Sequence, residues 1–250
     1  MGMTAIDTLT PDAIAARLSG SPAERAAFVR EAADAGVAEA QAVYGQMLLD
    51  GIGVAVDPAA ALGWFTKAAA QHHVMALNMV GRCYDLGWGT PVDKARAAEC
   101  YRVAAARGLD WAMYNYATLL ALGDGVPEDR PAALALLEKV AAMNTGLASA
   151  KAINFVGSFA EDGWACPRDL ARAAACYASA AEGGDFRGCF NHARMLGAAG
   201  EIDAALGWLE QAGARGNAAF VTKAQAFLAA SDIAAFRTRG VAALREGAQC

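Results

Sequence analysis

The 250-residue sequence predicts an all-α fold, an α-solenoid of stacked antiparallel helix hairpins. Three observations predict it. A period of 36 residues runs through the chain, each period holds two stretches with apolar residues at helical spacing, and glycine and aspartate recur between those stretches in fixed register. Gly45, Gly51, Gly53, Asp57, Ala61, Ala68 and Ala69 return 36 residues later as Gly81, Gly87, Gly89, Asp93, Ala97, Ala104 and Ala105. Another 36 gives Ala117, Gly123, Gly125, Asp129, Ala133, Val140 and Ala141. A step of 40 then gives Gly157, Gly163, Ala165, Asp169, Ala173, Ala180 and Ala181, so four extra residues fall near 144–150. A single hairpin cannot bury two wide apolar faces; stacking neighbours supplies the shared interior.

Each element has a local cause. Ser21-Pro22-Ala23-Glu24 reads as a capping box that opens the second helix of an incomplete first repeat. In the first full unit, residues 39–50 (EAQAVYGQMLLD) carry the helical apolar spacing. Gly51 supplies the left-handed residue that stops this helix, and Gly53 keeps the connection free of steric cost. Asp57 offers a side-chain oxygen to the free amides of the next helix, and Pro58 suits its first position. The second helix, PAAALGWFTKAAA, has alanine where backbones must come close. The insertion at 144–150 is expected to lengthen the link between repeats three and four. The fifth unit, residues 191–216, lacks four loop residues. Helices around 218–230 and 232–245, with Ser231 as the N-cap between them, are expected to close the array. The domain reading is an N-terminal partial repeat over 1–36, repeats over 37–72, 73–108, 109–146, 147–184 and 185–216, and capping helices over 217–250.

Composition removes several function classes. Hydrophobic residues reach 56%, yet aromatics are only 8%, the excess being alanine. A net charge of −5 leaves no basic surplus for a phosphate backbone, so no nucleic-acid partner is expected. Mean hydropathy is +0.24, but a bilayer span needs about 20 consecutive apolar residues. Charge-free stretches such as Trp111 to Gly123 are shorter, so no membrane span is expected. The opening MGMTAIDTLTPD has Asp7 and Asp12 and no basic region, unlike a signal peptide. Cys83, Cys100, Cys166, Cys176, Cys189 and Cys250 show no CxxC spacing and read as free, mostly buried thiols of a cytoplasmic protein.

The register also carries a resemblance. VGRCYDLGWGTPVDKARAAECYRVAAARG (80–108) and YGQMLLDGIGVAVDPAAALGWFTKAAAQH (44–72) resemble the Sel1-like repeat, a relative of the tetratricopeptide repeat. The likeness covers roughly residues 20 to 216, departing at Leu136-Leu137 and at Ala165. It implies a right-handed superhelix and an adaptor in signalling, envelope regulation or complex assembly. Some members of that family were once proposed to bind penicillin; their disulfide-forming cysteine pattern is not reproduced here.

Catalytic chemistry finds little footing. Gly51 to Val56 suggests a dinucleotide loop, but it joins two helices rather than opening a βαβ unit, and it is copied at Gly87 and Gly123. Cys189 and His192 lie three apart on one helix, with Cys176 as a third conceivable metal ligand. His72 and His73 stand where the repeat has glycine, at a helix C-terminus whose carbonyls an imidazole complements. No nucleophile, base and carboxylate set stands out, so no catalytic residue, metal or cofactor is expected.

Binding is the favoured reading. In tetratricopeptide-like superhelices the first helix of each hairpin lines a concave groove. Register then gives Asn78, Arg82, Asp85, Trp111, Tyr114, Thr118, Lys151, Asn154, Glu161, Arg187, Phe190 and Arg194 as partner-binding residues. Trp111, Tyr114 and Phe190 are the anchors, because aromatic and arginine side chains dominate interface energy. Trp111 and Tyr114 packing between adjacent hairpins is the competing reading. The function expected is a non-catalytic scaffold that holds a protein or peptide. The alternatives are an accessory subunit of an enzyme encoded nearby and, behind it, a hydrolase acting in the groove.

Overall fold

The computed structural model describes residues 10–249; the first nine residues, with Asp7, and Cys250 lie outside the described residues. The chain divides into two compact units, Met1–Glu128 and Asp129–Cys250. Among the described residues there are helices and no strand.

The first unit runs α1 (Pro11–Leu18), α2 (Pro22–Asp34), α3 (Ala38–Asp50), α4 (Pro58–Ala70), α5 (Val74–Leu86), α6 (Lys94–Ala106) and α7 (Asp110–Leu122). From α2 onward, each helix packs on the next in the chain. The second unit runs α8 (Arg130–Met143), α9 (Leu147–Asp162), α10 (Leu170–Glu182), α11 (Phe186–Ala198), α12 (Ile202–Arg215), α13 (Ala218–Ala229) and α14 (Val241–Gly247). Consecutive helices from α8 to α12 pack together, and α14 lies against α12. Both units are therefore stacked helix hairpins, as the period predicts.

The repeated residues do the same work each time. Gly51, Gly87, Gly123 and Gly163 end the first helices with φ of 71°, 74°, 66° and 75°, where an L side chain is strained. The loop then turns back: the amides of Asp57, Asp93 and Asp169 donate to Leu48, Tyr84 and Ala160 carbonyls at 2.9, 2.9 and 2.8 Å. The side chains of Asp57, Asp93, Asp129 and Asp169 accept from Ala60, Arg96, Ala132 and Arg172 amides at 2.9–3.0 Å, satisfying donors that a helix start leaves free. Ser21 and Glu24 form the expected capping box at α2.

Small residues decide how near the helices come. A Cβ built on Gly45 would lie 2.8 Å from the Phe65 ring; on Gly81 or Gly157 it would lie 2.7 Å from Tyr101 or Tyr177. These residues are at most 1% exposed, so glycine is what lets the ring approach the neighbouring backbone this closely. At the same register within the second unit, Ala193 and Leu209 share one buried cluster. A smaller partner side chain leaves room for the alanine methyl.

Three local readings need correction. The insertion does not lengthen the link after α8, which is residues 144–146 and matches the 71–73 and 107–109 links. The extra residues extend the helices: α8 has 14 residues and α9 has 16, against 13 for α6 and α7. Asn144 ends α8 at φ 53°, and the Ser149 hydroxyl donates to the Val140 carbonyl at 2.7 Å, tying the junction. His73 does not complement helix-end carbonyls; its Nδ1 accepts from the Ala76 amide at 3.1 Å and caps α5. The last helix does not begin at Ser231, whose hydroxyl accepts from the Ile233 amide at 3.2 Å. A π-helical turn, Phe236–Gly240, leads into α14. That turn delivers the Phe236 ring onto Gly197, where an added Cβ would lie 2.2 Å from the ring. α14 then approaches α12 through Gly213 and Gly247.

Candidate interaction faces

In each unit the first helices of successive hairpins, α3, α5 and α7 or α9 and α11, carry polar and aromatic side chains at matched positions. In the first unit, Asn78 is 2% exposed and its Oδ1 accepts from the Asn115 amide at 3.1 Å. Asp85 accepts from the Tyr101 hydroxyl at 3.1 Å and from Lys94 at 2.5 Å; Lys94 also reaches Asp124 at 3.1 Å. The bond to Asp85 holds the lysine's pKa above its ordinary value, even though burial opposes this. Burial, with the Asp85 charge, pushes the Tyr101 hydroxyl far up. Arg82 lies 4.7 Å over the Trp88 ring. Trp111 and Tyr114 meet edge to face at 6.4 Å, and both are half-buried, as is Thr118. At the edge of this face the His73 Nε2 lies 2.8 Å from Glu39. With Nδ1 accepting from Ala76, that nitrogen carries the proton and donates it.

The second unit repeats the scheme. Asn154 is buried and its Oδ1 accepts from the Asn191 amide at 2.9 Å. Glu161 accepts from Arg194 at 3.2 and 2.8 Å and from the Tyr177 hydroxyl at 2.6 Å. Burial acts to raise the Glu161 pKa, but the bonds from Arg194 and Tyr177 prevail and hold it below the ordinary glutamate value. Burial pushes the Tyr177 hydroxyl up. Lys151 lies 3.5 Å from Asp185, which is 1% exposed and caps α11 through the Gly188 amide at 2.9 Å. Beside these pairs runs a row of rings. Phe186 meets Phe220 at 4.7 Å, Phe190 meets Phe220 at 5.8 Å and Phe227 at 5.6 Å, all edge to face. Lys151 and Arg187 stand 5.0 and 4.6 Å over Phe186, and Arg194 stands 5.8 Å over Phe227.

The twelve register residues therefore fall into two groups. Asn78 and Asn154 are buried and tie one hairpin to the next, while Asp85, Lys151, Glu161 and Arg194 are half-buried in ion pairs. Arg82, Trp111, Tyr114, Thr118 and Phe190 keep part of their surface in solvent, and Arg187 is exposed. Sequence reasoning missed Asn115 and Asn191, Tyr101 and Tyr177, and the α13 rings Phe220 and Phe227. The first two pairs were findable: each is separated by 76 residues, as are Asn78 and Asn154.

Cys189 lies 3.7 Å from Arg215 and 3.8 Å from the Ala181 carbonyl, and His192 packs edge to face on Trp208 at 5.4 Å. Burial lowers the His192 pKa. Among the described residues no group of three His, Cys, Asp or Glu side chains is placed to hold a metal ion. Cys83, Cys100, Cys166, Cys176 and Cys189 are free, and burial pushes the Cys83 thiol up to about 11. Among the described residues no helix is long and apolar enough to cross a membrane.

These features define a helix-hairpin repeat protein with networked first-helix faces. The Sel1 repeat family model matches residues 38–73, 74–109, 112–144, 150–185 and 189–217, and the chain belongs to that family. Solved structures agree on the fold. A Sel1 repeat protein from Oxalobacter formigenes is 23% identical, with 91% of this chain and 96% of that chain aligned and a TM-score of 0.66. A protective antigen of uropathogenic Escherichia coli is 22% identical over 92% of this chain, with a TM-score of 0.63; this chain spans about half (50%) of its length. An immunity protein from Pseudomonas aeruginosa is 16% identical over 81% of this chain and 75% of that chain, with a TM-score of 0.55. No curated protein matches the sequence.

Proposed function

We propose that the protein is a non-catalytic scaffold that holds a protein or peptide partner on its first-helix faces, those expected to line the concave side of the array. The Sel1 repeat fold is generally a protein-interaction scaffold. One observation supports the finer reading: in both units half-buried polar side chains of the first helices, Asp85 and Asn115 or Glu161 and Asn191, are held in matched networks by the buried Asn78 and Tyr101 or Asn154 and Tyr177. Such groups, already ordered by ion pairs and amide ladders, lose little entropy when a partner arrives. Asp85 and Glu161 have their oxygens committed to tyrosine and cation donors, which suits positioning better than proton transfer. Free, burial-raised thiols suit a reducing cytoplasm.

The test is capture from the native host with crosslinking. A partner is expected to co-purify with the wild-type chain, and Trp111→Ala/Tyr114→Ala is expected to lose it while melting within a few degrees of wild type. Retention of the partner by the folded double variant would exclude that part of the face.

A further inference from the structure

The second unit's face is chemically lopsided. The charged residues on or capping α9, α11 and α13 are the cations Lys151, Arg187, Arg194 and Lys223 and the carboxylates Glu161, Asp162 and Asp185. Asp185 is 1% exposed, and Glu161 already accepts from Arg194 twice and from Tyr177. Among the exposed charged residues there, Arg187 and Lys223 are cations and Asp162 is a carboxylate, a net positive excess on a chain whose net charge is −5. Arg187 and Lys223 are exposed and form no ion pair among the described residues; Arg187 is held only against the Phe186 ring. Its guanidinium keeps its in-plane donors free while its flat face rests on the ring.

Apolar surface accompanies the charge. Phe227 is 51% exposed and is the sole aromatic among the exposed large hydrophobic side chains described. It ends the Phe186–Phe220–Phe190–Phe227 row, with Phe190 edge to face at 5.6 Å and the Arg194 guanidinium 5.8 Å from its ring. An exposed ring is costly in water, and with the unpaired Lys223 four residues before it on the same helix it suits an apolar side chain flanked by carboxylates. Resting on the scaffold reading above, we infer that α11 and α13 form a docking surface for an acidic peptide segment that carries an apolar side chain. Phe227 and Phe190 take the apolar group, and Arg187 and Lys223 take the carboxylates. The charges set orientation and encounter, and the ring supplies the buried contact.

The test uses the full chain and two fluorescein-labelled synthetic peptides, one alternating glutamate with leucine and phenylalanine, the other with lysine at every glutamate position. Anisotropy is expected to show saturable binding of the acidic peptide alone, weakened about tenfold or more between 50 and 300 mM salt. Arg187→Glu/Lys223→Glu is expected to weaken it about tenfold or more, and Phe227→Ala to weaken it further. The surface assignment fails if the lysine peptide binds as tightly, if the acidic peptide does not bind, or if the charge-reversed protein binds it as wild type does. The salt titration needs no variant, so a folding defect cannot mask the result. If the peptide fails while Trp111→Ala/Tyr114→Ala still abolishes capture of a host partner, the scaffold reading stands and only this surface falls.

Discussion

A single methyl group separates the repeat's alternatives. Gly45 sits where a Cβ would meet the Phe65 ring at 2.8 Å, and the register elsewhere pairs alanine with leucine. Gly45→Ala is therefore expected to cost about 1–3 kcal/mol by overpacking. Phe65→Leu in the same chain is expected to recover about 1 kcal/mol of the summed cost, a coupling that a double-mutant denaturation cycle measures. Glu161 gives a second test. Its folded pKa lies below the ordinary value, so its contribution is present above the unfolded pKa and disappears as pH falls through the folded one. Glu161→Gln is expected to lose about 2 kcal/mol at pH 7, where bonds from Arg194 and Tyr177 are at stake. In melting experiments the gap to wild type should begin to shrink as pH falls through the ordinary glutamate range and close only below the lower folded value. Glycines, caps and alanines were legible because each answers to its own repeat. The Glu161–Arg194 pair was not, because it joins residues 33 apart in different repeats whose side chains meet only after stacking.

At the scale of elements, loop geometry dominates. Gly89 has φ 69°, and an added Cβ would lie 2.3 Å from the Pro58 carbonyl oxygen. Gly89→Ala is expected to destabilise the first unit by more than about 2 kcal/mol, from strain and clash together. His72 gives the converse. It is exposed with φ 67°, and Gly36 and Gly108 at the matching place have nothing within 4 Å of an added Cβ. His72→Gly is expected to raise stability by up to about 1 kcal/mol, because only the left-handed penalty is removed. Chemical denaturation of both variants reads the two signs. Helix existence was readable throughout, but the fate of the insertion was not: four residues can lengthen a loop or a helix, and the Ser149 bond to Val140 favours helix. The π-helical turn was equally hidden, since it exists to set Phe236 on Gly197, a contact between elements.

For the chain as a whole, the 36-residue period gave the all-α stacked-hairpin class from sequence, because nearest-neighbour stacking is what a repeat encodes. Register named first-helix residues for a partner groove, while the networks observed also draw on Lys94, Tyr101 and Tyr177 of the second helices. It did not separate side chains that bind neighbours from those left to bind a partner. Asn78 and Trp111 occupy comparable faces, yet one is sealed between hairpins and the other is partly in solvent. The most direct test is amide hydrogen exchange on the full chain with and without its captured host partner. Added protection is expected in peptides covering α5, α7, α9, α11 or α13, with α4, α6, α10 and α12 unchanged. Protection confined to those second helices would contradict binding through the first-helix faces.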